Sequence, residues 1–252
     1  EGVKFMKKNA PICFFDSGIG GSTILKEVIK KLPNENYVYY ADSKNNPYGN
    51  KTKEELFDIV CCVVDNLLKY NPKLIVCACN TATEVVLNDI RKKYKDITFI
   101  GTEPAVKVVY DNYKDKKTII LTTKGTGESK RFKELFSNYK TNECTLIEAP
   151  LLAGLIESGK DTYPYLKKLL KNYIGTEIVV LGCTHFPLAK KEIKKILGNV
   201  TFVDGSHGIA NRIYNLLSND NNLNKNNKGS MHIIAPNKNI EDKIMSIIKE
   251  NF

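Results

Sequence analysis

The feature that most constrains the fold is a series of short, continuous apolar runs that recur along the chain. These runs are rich in β-branched and aromatic residues, and most of them do not alternate with polar residues. Such runs are typical of parallel β-strands that are buried on both faces of a sheet. We therefore predict nine strands, at Ile12–Phe15, Tyr37–Ala41, Leu74–Cys79, Phe99–Thr102, Thr118–Thr122, Thr145–Ala149, Ile178–Cys183, Thr201–Val203 and His232–Ala235.

The segments between these runs have the pattern of amphipathic helices. The segment around Ile24 places apolar residues on one face and Lys and Glu residues on the other. A second helix is predicted to begin at Thr52, because Glu55 three residues later completes a capping box. Alternating strands and helices with right-handed crossovers predict a doubly wound α/β architecture.

Two stretches of the chain, IVCACNTATEVV and VVLGCTHFPLAKKEI, share one plan. Each has an apolar strand, then a cysteine, a threonine within two residues and a helical pattern. Cys79 and Cys183 occupy the matching positions, 104 residues apart. We therefore predict two pseudo-symmetric α/β sub-domains with a functional cleft between them. The Asn- and Lys-rich stretch Asn219–Lys228 is predicted as a loop, followed by a final strand and helix.

The chain carries a formal net charge of +10, so nucleic-acid binding has to be considered. Nearly all of its basic residues are lysines mixed with glutamates, and only Arg91, Arg131 and Arg212 are arginines. Because arginine is the usual reader of bases, we predict a solvated, lysine-rich surface and no nucleic-acid partner. The excess positive charge can still attract a small anionic substrate.

No apolar run reaches the ~18–20 residues of a membrane helix, and the stretch EGVKFMKKNAPICFF lacks the layout of a signal peptide. We therefore expect a cytoplasmic protein without membrane attachment. The seven cysteines are odd in number and irregular in spacing, with no C-x-x-C pair and no paired histidines. This pattern favours free thiols over a zinc site or a disulfide framework, so we expect no bound metal.

Four polar motifs follow predicted strands: DSGIGGST from Asp16, NPYGN from Asn46, CNTAT from Cys79 and GCTHFP from Gly182. Because ligands of open α/β sheets bind beyond the carboxyl ends of the strands, all four motifs can line one cleft. The glycines of DSGIGGST allow a turn whose free N–H groups suit an anion, but an ordinary strand-to-helix turn explains them equally well. NPYGN, taken alone, is more typical of a plain loop.

Cys79 is predicted to be the last residue of its strand, at the start of a helix, where the helix dipole would favour a thiolate. Taken alone, it is as readily an inert core residue, which is how we interpret Cys77. His185 is the only histidine in a strand-end motif. His207 and His232 are interpreted as structural or incidental.

Two strand-end thiols from two similar halves suggest one kind of reaction. If they face each other across a small substrate, one thiolate can remove a proton from one face while the other thiol delivers a proton to the opposite face. This inverts a stereocentre without a cofactor, and a thiol with an unperturbed pKa of ~8.5 suits both tasks. Asp16 beside one cysteine and His185 beside the other are the candidates for positioning these protons.

The motifs DSGIGG, NPYG, CNTA and GCTHFPL, in this order and spacing, resemble those of the cofactor-independent glutamate racemases over most of the chain. The resemblance implies two α/β sub-domains that face each other. The first comprises residues 1–102 plus 208–252, because the C-terminal segment returns to it, and carries Asp16 and Cys79. The second comprises residues 103–207 and carries the other cysteine and the histidine.

The resemblance also implies roles for individual residues. Cys79 matches the thiol that acts on D-glutamate, and Cys183 matches the thiol that acts on L-glutamate. Asp16 and His185 match the assisting residues, and Glu157 in APLLAGLIESG matches a family glutamate of the catalytic group. The implied substrate contacts are Asp16, Ser17, Pro47, Tyr48, Gly49, Asn80, Thr81, Thr184 and His185.

The implied activity is the interconversion of L- and D-glutamate without a cofactor, which supplies D-glutamate for peptidoglycan synthesis; a homodimer is compatible with the resemblance. Three alternatives stay open at this point. One is a racemase for aspartate or another acidic amino acid, although aspartate racemases usually lack the Asp-Ser-Gly start. Another is a non-catalytic α/β protein that binds a phosphate ligand at DSGIGGST or a protein partner. The third is a metal or disulfide protein.

Overall fold

The computed structural model describes residues 8–225 and 228–250, which contain two parallel β-sheets. All nine predicted strands are present in this part of the chain. In chain order they are β1 (Ile12–Asp16), β2 (Tyr37–Ala41), β3 (Leu74–Cys77), β4 (Phe99–Gly101), β5 (Thr118–Thr122), β6 (Cys144–Glu148), β7 (Ile178–Gly182), β8 (Thr201–Val203) and β9 (Met231–Ile234).

The chain builds one sheet, crosses to the other and then returns. The first sheet has the strand order β4-β3-β1-β2-β9, and the second has the order β6-β5-β7-β8. Every neighbouring pair is parallel, including β2 with β9 near the C-terminus. The predicted α/β class is confirmed, whereas the sub-domain boundaries at residues 102 and 207 stay a prediction.

Helices follow most of the strands, as the amphipathic segments predicted. Across residues 8–225 and 228–250, no helix combines the length and apolar character needed to cross a membrane. In chain order the helices are α1 (Ser22–Lys31), α2 (Lys53–Leu68), α3 (Asn80–Val85), α4 (Leu87–Lys93), α5 (Val106–Asn112), α6 (Lys124–Glu128), α7 (Lys130–Tyr139), α8 (Leu152–Glu157), α9 (Tyr163–Leu170), α10 (Lys190–Leu197), α11 (Ser206–Asn219) and α12 (Lys238–Lys249).

The continuous apolar runs are explained by burial of both faces of each sheet. In β1, Ile12 and Phe14 pack against α1, α11 and α12, whereas Cys13 and Phe15 pack against α2 and α4. In the second sheet, one face packs against α8, α9 and α10, and the other packs against α5 and α7. In the central strands β1, β3, β5 and β7 every residue is buried, so alternation with polar residues is absent, whereas the edge strands β6, β8 and β9 are partly exposed.

The start of α2 follows the predicted capping box. The Thr52 hydroxyl accepts a hydrogen bond from the N–H of Glu55 at 3.2 Å, and the Glu55 carboxylate accepts one from the N–H of Thr52 at 2.8 Å. These bonds satisfy two N–H groups that have no partner within the helix.

Several predicted strand ends differ from the structure by one or two residues, and the differences at β3 and β7 concern the two site cysteines. β3 ends at Cys77 and not at Cys79, because Cys77 is the last residue of β3 that pairs with both β1 and β4. Cys79 is instead the residue before α3, with an extended backbone (φ −97°, ψ 119°). β7 ends at Gly182, so Cys183 begins the following turn.

The Asn- and Lys-rich stretch after α11 is joined to the first sheet by a buried ion pair. Lys73 Nζ lies 2.6 Å from a carboxylate oxygen of Glu35, and both side chains are almost fully buried. Lys73 Nζ also donates to the carbonyl oxygen of Asn222 at 2.9 Å, and Glu35 Oε1 accepts from the N–H of Asn224 at 2.9 Å. Residues 226–227 of the predicted loop lie outside the described residues.

Candidate active site

The loops that follow the strands of the two sheets meet at one place. Thr184, two residues after β7, lies with its Oγ1 3.3 Å from both carboxylate oxygens of Asp16 at the end of β1. Thr81, after β3, has its hydroxyl 2.9 Å from that of Thr123, which follows β5. These contacts join the carboxyl ends of the strands of both sheets, where open α/β folds bind their ligands. The candidate active site therefore lies between the two sheets.

The turn after β1 binds two carboxylates of the protein itself. Ile19 N–H donates to Glu157 Oε2 at 2.9 Å, and Gly21 N–H donates to Asp16 Oδ2 at 2.8 Å. The next two N–H groups donate to carbonyl oxygens within the turn. Because these donors already have partners, the geometry argues against the open alternative of a phosphate ligand at DSGIGGST.

Two glycines of this turn make room for side chains from the second half of the molecule. A Cβ on Gly18 would lie 2.3 Å from Glu157 Oε2, and a Cβ on Gly20 would lie 2.4 Å from His185 Nδ1. Neither glycine has a positive φ. Close approach, and not a left-handed backbone, is therefore what requires glycine here.

His185 is buried between Cys183 and Glu157. Its Nδ1 lies 4.0 Å from Cys183 Sγ, and its Nε2 lies 2.8 Å from Glu157 Oε2. Burial lowers the pKa of His185, but the Cys183 thiol and the Glu157 carboxylate outweigh this effect and raise the pKa well above its usual value. This shift favours the imidazolium form, which has one N–H for each neighbour.

Glu157, the last residue of α8, connects the histidine to the turn after β1. Its carboxylate accepts hydrogen bonds from His185, from the N–H of Ile19 and from the hydroxyl of Ser43. Burial acts to raise the pKa of Glu157, but these hydrogen bonds hold it below its usual value. The charged carboxylate therefore fixes both the orientation and the charge of the imidazolium.

Asp16 is fully buried at the end of β1. Burial raises the pKa of its carboxyl group, although the charge of His185 and the N–H of Gly21 oppose this rise. Its neighbour Thr184 comes from the second sheet. A carboxyl group with a raised pKa can exchange a proton closer to neutral pH than an exposed aspartate can.

Cys79 lies just before α3 and is buried. Burial raises the pKa of its thiol well above the usual value, and the nearby Asp16 and Cys77 groups raise it further. The N–H of Ala82 at the start of the helix opposes this rise only in part. The expectation that the helix start favours a thiolate is therefore wrong, because desolvation outweighs the N-terminal donors of a six-residue helix.

Cys183 is also buried, but in a different environment. Its sulfur lies beside the His185 imidazolium, whereas Cys79 lies in the electrostatic field of Asp16. The Cys183 thiol itself contributes to the raised pKa of Cys79, so the two thiols interact electrostatically. All seven cysteines belong to the described part of the chain, and each is a free thiol.

The NPYGN motif packs between the two halves. The side-chain amide of Asn46 donates to the carbonyl and hydroxyl oxygens of Ser17 at 3.3 Å. The phenol of Tyr48 is buried and donates to Asp42 at 2.7 Å, so this hydroxyl already has a partner within its own half. A Cβ on Gly49 would lie 3.2 Å from Thr123 Cβ, so a side chain here would make a tight contact with the second half.

Threonines from both halves form a hydrogen-bonded group next to Asn80. The Thr81 hydroxyl lies 3.3 Å from that of Thr126, which in turn lies 3.0 Å from the hydroxyl of Thr123. Sequence reasoning missed Thr123 and Thr126. Thr123 directly follows β5, so the same rule that identified the other strand-end motifs could have identified it. Ser43, the hydroxyl partner of Glu157, lies two residues after β2, so the same rule could have identified it as well.

The arrangement suits proton transfer to and from two sides of a small ligand. Cys79 with Asp16, and Cys183 with His185, are two pairs of acid–base groups in different electrostatic environments. Within residues 8–225 and 228–250, no group of three His, Cys, Asp or Glu side chains has an arrangement that could hold a metal ion.

Known proteins with similar sequences and structures share one activity. The family model Asp/Glu/Hydantoin racemase matches residues 32–212. The chain is 41% identical over 253 aligned positions to a glutamate racemase of Clostridium botulinum (strain Alaska E43 / Type E3), with 97% of each chain covered. This match extends well beyond the four short motifs.

Two solved structures agree with this assignment. Glutamate racemase from Francisella tularensis, in complex with D-glutamate, has a TM-score of 0.80 at 25% identity and covers 97% of this chain and 96% of its own. Escherichia coli glutamate racemase, in complex with L-glutamate and the activator UDP-MurNAc-ala, has a TM-score of 0.80 at 28% identity and covers 95% of this chain and 94% of its own. The chain therefore belongs to the Asp/Glu/hydantoin racemase family and, within it, to the glutamate racemases.

Proposed function

We propose that the chain interconverts L- and D-glutamate with two thiols, one for each face of the substrate. The observation that carries this proposal is the placement of Cys79 and Cys183. They follow corresponding strands of two different sheets whose carboxyl ends meet at the site, and both are buried. Two acid–base groups on opposite sides of one carbon atom are what inversion by proton transfer requires.

The proton balance of the reaction is simple. Starting from L-glutamate, the Cys183 thiolate removes the α-proton, and the electron pair of the C–H bond stays on the substrate as a carbanion. The Cys79 thiol then delivers its proton to the opposite face and becomes a thiolate. The raised pKa of Cys79 keeps it protonated and ready for this step. Starting from D-glutamate, the two cysteines exchange roles.

We assign supporting roles to the charged neighbours of the thiols. His185, held by Glu157, donates to the sulfur of Cys183 and balances the charge of the thiolate. Asp16, with its raised pKa, accepts or returns a proton on the Cys79 side. Stabilisation of the carbanion comes from fixed donors in a site shielded from water, where such donors act strongly.

Substrate binding in this proposal uses the polar groups around the thiols. Ser17, Asn80 and Thr81 are buried at the strand ends, and Thr184 follows Cys183 directly. Their hydroxyl and amide groups can bind the carboxylate and ammonium groups of glutamate, together with backbone groups of the NPYGN motif. The complexes of the Francisella and Escherichia coli relatives with D- and L-glutamate support glutamate as the ligand.

The biological role follows from the activity. We propose that the protein acts in the cytoplasm, without a cofactor, and supplies D-glutamate for peptidoglycan synthesis. The matching bacterial glutamate racemases support this role. A homodimer stays a prediction, as does the absence of a nucleic-acid or membrane partner.

The test is to incubate the reduced protein with L-glutamate or D-glutamate and to follow optical rotation. We expect both enantiomers to reach the same racemic mixture, and aspartate and hydantoins in the same assay to react far more slowly. Cys79→Ser and Cys183→Ser should each remove turnover while the circular dichroism spectrum stays unchanged. Cys62→Ser, which changes an exposed cysteine of α2, is the matched control and should remain active. Substantial racemisation by either of the first two variants would refute the two-thiol assignment.

A further inference from the structure

Arg131 connects the two halves of the molecule on the Cys79 side of the site. It belongs to α7, which packs on the second sheet. Its Nε lies 3.5 Å from a carboxylate oxygen of Glu84 in α3, and its Nη1 lies 3.3 Å from Asn88 Oδ1 in α4. Its Nη2 donates to Glu103, in the connection between β4 and α5. One guanidinium therefore contacts three acceptors that precede the second sheet in the chain.

The stability of α7 does not explain this arginine. Lys130 and Arg131 occupy the first turn of α7, which contains no acidic residue, and Ser129 provides the N-cap. Positive charge at a helix N-terminus opposes the helix dipole. An arginine at this position is explained by its three acceptors, because a planar guanidinium can hold several acceptors at fixed angles in a way that lysine cannot.

Glu84 is the residue through which Arg131 contacts α3. Its side chain is fully buried, and its only described partner of opposite charge is Arg131. Thr81 and Glu84 are three residues apart, so they share one face of the helix. Thr81 contacts Thr123 and Thr126 of the second half, as described above. The second half therefore contacts α3 near both of its ends.

Cys79 is attached directly to this helix. Its carbonyl oxygen accepts the hydrogen bond of the Thr83 N–H at 3.0 Å, so a shift of α3 moves the thiol with it. Cys183 belongs to the opposite half, in the turn that directly follows β7 of the second sheet. The distance between the two sulfurs consequently depends on how α3 sits against the second half.

We propose that Arg131 is a positioning residue, which holds α3, and with it the Cys79 thiol, at the separation from Cys183 that proton transfer requires. The inference rests on the proposed two-thiol function and adds a residue that touches neither substrate nor thiol. A misplacement of about 1 Å can cost on the order of 100-fold in rate. Arg131→Gln should therefore lower kcat/KM by at least tenfold while the protein stays folded.

The overall rate alone does not distinguish positioning from general damage. Because the equilibrium constant between the enantiomers is 1, any variant must lower kcat/KM equally in both directions. The equilibrium constant does not require the two individual proton transfers to slow by the same factor. If α3 shifts, the transfer at Cys79 slows more than the transfer at Cys183.

The isotope effect of α-deuterated glutamate separates the two transfers. In Arg131→Gln, we expect the effect on kcat/KM to increase for the enantiomer that Cys79 deprotonates, D-glutamate in the present assignment, because that step becomes rate-limiting. For the other enantiomer we expect it to decrease, because its labelled proton leaves at Cys183. Isotope effects that stay unchanged, or that change in the same direction for both enantiomers, would overturn the proposal.

Three further variants make the result specific. Arg91→Gln is the matched control, since Arg91 donates to Asn88 and to the carbonyl oxygen of Phe99 without reaching the second half. It should keep the wild-type isotope effects. Arg131→Lys should recover part of the rate, because it restores the charge but not the three-way contact. Arg131→Gln alone leaves the Glu84 carboxylate without its positive partner, whereas the double variant Glu84→Gln/Arg131→Gln removes both charges. If the double variant recovers wild-type kinetics, the unpaired charge, and not the loss of positioning, causes the defect of Arg131→Gln.

A labelling experiment keeps this inference separate from the activity. The rate at which iodoacetamide alkylates Cys79 is measured by peptide mass spectrometry in the wild type, Arg131→Gln and Arg91→Gln. Release of α3 should raise the Cys79 rate several-fold in Arg131→Gln only, and equal rates in all three proteins would refute the proposal. A wild-type chain that does not racemise glutamate would instead overturn the proposed function.

Discussion

The buried carboxyl group of Glu84 makes the stability of the fold depend on pH, and Glu84→Gln should remove that dependence. The side chain has no exposed surface, and neither of its oxygens has a hydrogen-bond partner. Burial raises the pKa of Glu84 from 4.5 to about 7, against the opposing charge of Arg131. In the unfolded chain, solvent would return this pKa to about 4.3.

The sign of the effect follows from proton binding. Between the two pKa values the folded chain holds a proton that the unfolded chain has lost, so stability is present below the unfolded pKa and is lost as the pH rises to about 7. The rise from 4.5 to about 7 corresponds to about 3 kcal/mol. Glutamine resembles the protonated acid, so the variant should match the wild type to within about 1 kcal/mol at pH 4.5 and exceed it by about 3 kcal/mol above pH 8.

Urea titrations at both pH values, followed by circular dichroism, give the free energies of unfolding. Urea carries no charge, so it does not screen the ion pair with Arg131. Glu134→Gln is the matched control, because Glu134 also lies near Arg131 on α7 but its side chain is 64% exposed. It should behave like the wild type at both pH values. If the stability difference between Glu84→Gln and the wild type does not grow with pH, the Glu84 carboxyl group is not the source of the pH dependence.

Two further substitutions test the site itself. Gly20→Ala places a Cβ 2.4 Å from His185 Nδ1, so we expect at least about a 100-fold loss of kcat. Gly154→Ala is the control, because nothing lies within 4 Å of its Cβ; it should retain activity and gain up to about 1 kcal/mol in stability. Equal kcat values for the two variants would contradict the assigned contact between Gly20 and His185. Glu157→Gln removes a partner that raises the pKa of His185, so that pKa should fall, and an unchanged NMR titration of the imidazole would count against the assigned contact.

The strands could be predicted because their cause is local. A parallel strand buried on both faces needs a continuous apolar run, and all nine runs became strands. The ends of β3 and β7 could not be predicted in the same way. β3 stops at Cys77 because this is its last residue that pairs with β1 and β4, and the pairing of those neighbours is not encoded within β3. Cys79 therefore precedes a helix instead of ending a strand.

Only the site residues that belong to a recognisable sequence motif could be predicted. Sequence reasoning named Cys79, Cys183, Asp16 and His185 from strand-end motifs, and the structure brings these residues to one region. The raised pKa of Cys79 depends on burial by distant segments, which outweighs the local effect of the helix start. The contacts of Arg131 likewise join residues that are up to 47 positions apart in the chain, and no local pattern predicts them.

Deuterium incorporation at low conversion tests whether two different thiols act on the two faces of the substrate. L-glutamate is incubated with the enzyme in deuterated water, the reaction is stopped at low conversion, and the two enantiomers are separated for mass spectrometry. We expect D-glutamate to carry deuterium at Cα and the remaining L-glutamate to keep its original proton, since the incoming proton comes from a separate, solvent-exchanged thiol. D-glutamate that retains the original α-proton would show that one group both removes and returns it, and would contradict the account.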